Sequence, residues 1–333
     1  MNVTKLLQNS VKRKVEFFNK NSPPLEKTIN IGFGVDAAFI RPMGVTITSL
    51  AENNSDIFFN AYLFFSSISD DDLTKLEQIP IKYPNIKLIL YEVELETFKQ
   101  LPRLLHISLA TYFRFIMPIV LSNLANILYL DADILCLNTI EKLTDIDLAE
   151  KVAVVIEDKC GIEQVERIDN LNLSHMPLEK YFNAGVILIN IAKWNELEIS
   201  ENAIKLLSEN PTKFKLLDQD ILNILLNRRV KYLTNEWNHM LYMRDKDNSD
   251  MPSNIVLLHC TDIPKPWSCV CRHYTQNYYL HYEKLSPWQQ MPLEQPKNYR
   301  EAKYYAILLL KKGDILEGIK WFKTFVQWKL FKK

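Results

Sequence analysis

The chain has 333 residues, 47% hydrophobic and 24% charged, with no formal net charge, which is enough length for a full core and an ordinary balance for a globular protein. Seven glycines and 15 prolines exclude low-complexity disorder, and no apolar run reaches the roughly 18 residues of a membrane span. Five irregularly spaced cysteines read as reduced cytoplasmic thiols rather than a disulfide framework.

In chain order, Val3, Leu7, Val11, Val15 and Phe18 recur at helical spacing. They predict a short amphipathic helix over 3–18, packed on the body. The nearby Lys5, Lys12, Arg13 and Lys14 precede no apolar signal core, so no secretion signal is expected. Strands are predicted at 29–35, 57–65, 86–93, 126–130, 151–156, 182–191 and 254–259. Helices are predicted at 42–53, from Asp70, at 108–121, 196–209 and 218–227. Alternating strands and helices, with several continuous apolar strands, predict an α/β fold with a mostly parallel central sheet. Residues 263–298 hold five prolines (Pro264, Pro266, Pro287, Pro292 and Pro296) and read as a linker. Helices at 299–312 and 315–331 follow, hinged at Gly313-Asp314. This predicts an N-terminal extension over 1–27, an α/β domain over 28–270 and a helical extension over 271–333.

Ligands in such sheets sit beyond the carboxyl ends of strands. Here those ends carry Asp36, Asp131, Asp133, Glu157 and His259. Asp131 and Asp133 interrupt an apolar run, where an unpartnered carboxylate costs several kcal/mol. Residues two apart on an extended chain point to one side. The pair therefore suits a hard divalent cation completed by water and phosphate oxygens, or it caps a turn. His259 adds an imidazole that fits Mn²⁺, or a hydrogen-bonded buried histidine. Lys265 lies between two prolines that stiffen its loop, as a phosphate clamp or a solvated lysine. Arg114, in an apolar segment, calls for a carboxylate or phosphate partner. Asp218-Gln219-Asp220 opens a helix with more polar groups than capping needs.

Two rival signals need weighing. Residues 32–37 fit a Gly-x-Gly-x-x-Ala dinucleotide fingerprint, with Asp56 about 20 residues on, and predict NAD(P) binding. Cys260, Cys269, Cys271, His259 and His273 cluster in sequence, but Cys-x-Cys is not the usual zinc spacing.

Taken together, the segments Phe33-Gly-Val-Asp36, 106–114, Leu128-Tyr-Leu-Asp131-Ala-Asp133, 181–186, 218–223 and His259 through Trp267 resemble glycosyltransferase family 8, in that family's order. The stretch from Ser286 through the paired helices is similar to the C-terminal extension of the family's lipopolysaccharide core glucosyl- and galactosyltransferases. The resemblance implies a GT-A fold and retaining transfer of galactose or glucose from a UDP-sugar to a lipid-linked core oligosaccharide. Mn²⁺ is the implied cofactor, with Mg²⁺ the alternative. Carried over by position, Asp131, Asp133 and His259 would bind the metal. Gly34, Asp36 and Ala132 would contact the nucleotide, and Arg114, Glu157 and Lys265 the donor sugar and diphosphate. Asn183, Asp218 and Gln219 would surround the reaction centre. Three departures stand out: Glu157 replaces an Asp, Asp262 replaces a Gly beside the diphosphate, and Ala37 and Ala38 replace polar residues.

The tail from residue 300 carries nine Lys/Arg against three acids, a charge of +6 that leaves −6 on the rest. With Trp321, Phe325 and Trp328 it predicts docking of 299–333 on an anionic inner-membrane surface and a cytoplasmic, peripheral location. No nucleic-acid partner is expected. A catalytically silent sugar-nucleotide binder is the remaining alternative.

Overall fold

The computed structural model describes residues 3–104, 108–173, 176–241 and 251–331. His106 and Ile107 of the quoted motif, and Lys332 and Lys333 of the tail, lie outside the described residues. The chain divides into two compact units. One takes Met1–Met240 and Pro252–His259, the other Leu241–Met251 and Cys260–Lys333.

The first unit contains strands β1 (Val11–Phe18), β2 (Lys27–Val35), β3 (Ile57–Phe65), β4 (Ile86–Val93), β5 (Asn126–Leu130), β6 (Ile134–Cys136), β7 (Ala153–Glu157), β8 (Phe182–Asn190), β9 (Val230–Leu233), β10 (His239–Met240) and β11 (Leu257–His259). Eight of them form one mainly parallel sheet in the order β1-β4-β3-β2-β5-β8-β7-β9. β3 and β8 are apolar almost throughout, as strands covered on both faces must be. Phe113, Met117, Ile127, Trp194, Leu217 and Leu222 fill the cluster packed on it.

Two departures from parallel pairing build the site. β8 runs antiparallel to both β5 and β7. Its first residues therefore lie where β5 ends, and the Asp131 N–H donates to Gly185 O at 2.9 Å. The chain then turns through Asp131–Asp133 into β6, which pairs antiparallel with β11 so that His259 stands opposite Ile134. Thr46, on the helix Ile40–Asn53, steadies this turn: its hydroxyl is 2.6 Å from Ile134 O and 3.0 Å from Ala132 O.

Several elements differ from expectation. Residues 3–18 are not one helix. The helix is Val3–Asn9, and Val11–Phe18 is an edge strand antiparallel to β4. A four-residue apolar spacing is a multiple of the strand period as well as near the helical one. Lys12, Arg13, Lys14 and Glu16 on that strand keep the edge charged. Residues 108–121 form a 3₁₀ segment, Leu109–Phe115, followed by a short helix, Met117–Val120. Pro118 sits in that helix's first turn, where its missing N–H is tolerated. The proline-rich stretch 263–298 encloses the helix Thr275–Leu285, which contains no proline.

In the second unit the helices Tyr299–Lys311 and Ile315–Leu330 form a hairpin through Gly313, whose φ of +85° suits a residue without Cβ. Asn298 and Asp314 cap the two helices. Trp321 packs edge-on against Tyr305 with centroids 5.4 Å apart, so this tryptophan faces the hairpin partner. Ile315, Ile319, Phe322, Val326 and Leu330 are exposed.

Candidate active site

Three ligand-type groups converge at the β5–β6 turn. Asp131, Asp133 and His259 each offer an atom, and these atoms lie within 4.8 Å of one another. His259 Nε2 is 3.2 Å from Asp133 Oδ1 and 3.8 Å from Asp131 Oδ2. His259 is buried on β11, while a third of the Asp131 side chain (32%) reaches solvent. Two carboxylates and one imidazole, half-open, form a donor set that suits Mn²⁺ or Mg²⁺ with water and phosphate oxygens in the remaining positions. Among the described residues no such group includes Cys260, Cys269 or Cys271, so the zinc alternative finds no cluster.

Behind Asp131 lies a buried charge network. Arg114 contacts Asp131 Oδ1 at 3.1 Å and Asp218 Oδ2 at 3.0 Å. It also donates to Ala184 O at 2.8 Å and the Tyr129 hydroxyl at 2.8 Å. The Tyr129 hydroxyl donates to Asp131 Oδ1 at 2.8 Å, and Thr111 donates to Asp218 Oδ1 at 2.7 Å. Burial pulls the Arg114 pKa down, but Asp218, Tyr129 and Asp131 outweigh it and hold the guanidinium charged. Burial raises the Asp218 carboxyl pKa, opposed by Arg114 and Thr111. Burial also pushes the Tyr129 phenol well up, so it stays a neutral donor. Arg114 thus has the carboxylate partners its sequence context required.

A chain of amides lies on the other side. Gln219 Oε1 accepts from the Ala184 N–H at 2.9 Å and from Asn183 Nδ2 at 3.2 Å. Asn183 Oδ1 accepts from the Gly185 N–H at 2.9 Å and from Asn238 Nδ2 at 2.9 Å. Asn238 Oδ1 meets His259 Nδ1 at 2.9 Å. Gln219 Nε2 donates to the Tyr181 hydroxyl at 3.3 Å, and that hydroxyl donates to Asp220, which Arg167 grips with both terminal nitrogens. Asp220 is therefore a structural anchor, and the polar run 218–220 divides between Arg114, Ala184 and Arg167.

The structure brings Arg114, Asp131, Asp133, Asn183, Asp218, Gln219 and His259 into one assembly. Asp36, at the end of β2, accepts from the Ala38 N–H at 3.0 Å and so caps Ala37–Phe39. Gly34 faces the segment Leu109–Phe115: a Cβ there would lie 2.8 Å from Ala110 O. Gly32 and Gly34 both sit inside β2, in register with Tyr62 and Phe64. Glycines within a strand do not form the phosphate-cradling turn of a dinucleotide fingerprint, which removes the NAD(P) reading. Glu157, at the end of β7, pairs with Lys180 at 2.6 Å. Lys265 belongs to the second unit, where its ammonium donates to Cys260 O at 2.6 Å and Thr261 O at 3.1 Å.

Sequence reasoning missed Asn238, Tyr129, Thr111 and Tyr181. Tyr129 had a signal, since a hydroxyl two residues before Asp131 shares its strand face. Asn238 had none: it follows the short turn Asn235–Trp237, where an Asn is commonplace.

The model of Glycosyl transferase family 8 matches residues 30–271, and that of its C-terminal region matches 275–329. The chain belongs to glycosyltransferase family 8. A lipopolysaccharide 1,3-galactosyltransferase of Salmonella typhimurium is 28% identical over 309 residues, 90% of this chain and 91% of that protein. A lipopolysaccharide 1,2-glucosyltransferase of Escherichia coli is 28% identical over 302 residues, 87% of this chain and 88% of that protein. The crystal structure of galactosyltransferase LgtC with donor and acceptor sugar analogues superimposes with a TM-score of 0.66 at 23% identity, covering 82% of this chain and 99% of that one. The fold is the GT-A type of that family.

Proposed function

We propose that this family 8 enzyme moves galactose or glucose from a UDP-hexose, with retention at the anomeric carbon, onto a lipopolysaccharide-type core oligosaccharide. The single observation that carries the reading is the Asp131–Asp133–His259 cluster, set at the end of β5 in a family 8 chain. The names and near-full-length matches of the galactosyl- and glucosyltransferase relatives support hexose transfer to that acceptor class.

In this reading Asp131, Asp133 and His259 hold Mn²⁺, with Mg²⁺ the alternative. When bound, the cation supplies Lewis-acid neutralisation of the diphosphate. Gly34, Asp36 and Ala132 border the nucleotide. Arg114 orients Asp131 and adds positive charge where the leaving group develops negative charge. By the family's positions Lys265 is assigned to the donor's diphosphate and Glu157 to its sugar. Asn183, Asp218 and Gln219 line the reaction centre. Gln219 is a poor nucleophile, because its amide oxygen already accepts two hydrogen bonds. Asp218 is held by Arg114 and Thr111. Both facts favour a front-face route, in which the acceptor hydroxyl attacks from the side that UDP leaves and passes its proton to the departing phosphate oxygen.

The same reading places the enzyme peripherally on the cytoplasmic face of the inner membrane. No described helix is long and apolar enough to cross a membrane. The exposed Ile315, Leu316, Ile319, Phe322, Val326 and Leu330, beside Lys320, Lys323 and Lys329, have the chemistry of an interfacial helix. Docking there brings the enzyme to a lipid-linked acceptor.

The test is thermal unfolding with UDP and Mn²⁺. At 100 times its Kd a ligand adds about 2.7 kcal/mol, a shift of several degrees. No shift with UDP and Mn²⁺ together overturns the reading.

A further inference from the structure

The His259 ring has two nitrogens with different tasks. Nε2 faces Asp131 and Asp133, and Nδ1 faces Asn238. Which nitrogen carries the proton decides whether Nε2 offers a lone pair to a cation or a hydrogen to the carboxylates. The amide chain settles this, because both of its fixed points are backbone N–H groups, which can only donate. The Gly185 N–H at 2.9 Å sets the Asn183 oxygen toward itself. The Ala184 N–H at 2.9 Å sets the Gln219 oxygen toward itself, leaving it to accept from Asn183 Nδ2. Asn183 Oδ1 then requires a donor from Asn238, which it receives from Nδ2 at 2.9 Å. Asn238 consequently turns its own oxygen toward His259 Nδ1, so Nδ1 must hold the proton.

We propose that Asn238 is a positioning residue that selects the Nδ1–H tautomer of His259 and so points a bare Nε2 at Asp131 and Asp133. The proposal deepens the metal-site reading above and rests on it for its purpose, though not for its geometry. Asn238 and His259 are both almost fully buried, at 1% and 3% exposure, so water does not compete for this hydrogen bond. Gly185 closes the other side. A Cβ there would lie 2.3 Å from His259 Cε1, so the ring packs directly against the backbone of β8, as only a glycine allows. Metal-binding histidines gain from such a partner on the second nitrogen, and losing it typically costs 10- to 100-fold in affinity.

The experiment uses the full chain with ¹⁵N-labelled histidine, without metal, at a pH where the ¹⁵N shifts themselves report the neutral ring. Two-bond ¹H–¹⁵N correlation distinguishes the protonated ring nitrogen from the bare one, and His259 is assigned by loss of its signals in His259→Gln. Wild type should show Nδ1–H. Asn238→Leu should move the population toward Nε2–H and weaken Mn²⁺, titrated by the electron paramagnetic resonance of the free ion, by about 10- to 100-fold. Asn238→Asp keeps an acceptor on Nδ1 and should keep the Nδ1–H tautomer. An Nε2–H signal in wild type overturns the proposal, even where Asn238→Leu does not fold. Retention of Nδ1–H in folded Asn238→Leu also overturns it. Nδ1–H in wild type with no Mn²⁺ binding upholds the tautomer assignment and overturns the metal-site reading instead.

Discussion

Gly185→Ala perturbs the site through one methyl group. The added Cβ would stand 2.3 Å from His259 Cε1, 2.9 Å from His259 Nδ1 and 2.9 Å from Asn183 Oδ1. Carbon atoms rest at about 3.5–4.0 Å, so the imidazole must retreat by roughly 1.2 Å or more. It has little room to do so, because Asn238 holds Nδ1 at 2.9 Å and β11 fixes its backbone against β6. Overpacking of this kind costs about 1–3 kcal/mol of stability. The functional loss should be larger, since a misplacement of about 1 Å in a catalytic constellation costs on the order of 100-fold. The assay pairs urea unfolding with UDP-hexose turnover in Mn²⁺. The expected outcome is a folded protein, modestly destabilised, with kcat/KM down about 100-fold and weaker Mn²⁺ binding. Turnover within about threefold of wild type in folded Gly185→Ala would refute the reasoning, because it would mean that the close approach of His259 to β8 does not matter.

Arg114→Ala strands Asp218 in the core and should cost about 3–5 kcal/mol by urea unfolding. Asp218 already has a raised carboxyl pKa, so its contribution to stability is greatest at acid pH and falls as pH rises through the folded-state value. Removing the arginine raises that pKa further, so the variant should lose more stability, relative to wild type, between about pH 4 and about pH 7 than wild type itself does. Deleting residues 315–333 should abolish binding to vesicles containing anionic lipid while sparing UDP binding; unchanged vesicle binding refutes the docking surface.

The candidate site was legible in the sequence where residue type clashed with its surroundings. Asp131 and Asp133 in an apolar run, Arg114 among aromatics and His259 at a strand end all lie in one assembly. The polar residues that hold these groups were less legible, because Asn238 and Thr111 are ordinary in turns and short helices. The reversal of β8 was also hidden. A buried strand reads the same in either direction, yet that reversal delivers Asn183 and Gly185 to the end of β5. The edge strand Val11–Phe18 shows the matching failure at the level of period: an apolar residue every fourth position fits a helix and a strand alike. Gly32 and Gly34 gave a dinucleotide-like string for a packing reason, the close approach of Met117 and Ala110 to β2.

Asp131, Asp133 and His259 are proposed to hold a cation on which UDP-hexose turnover depends. The most direct test is UDP release from UDP-galactose and UDP-glucose by the full chain in Mn²⁺, with and without chelator, for wild type and Asp133→Ala. Release should occur from at least one donor, and should be lost on chelation and in folded Asp133→Ala. Release that survives both, or no release from either donor, would contradict the proposal.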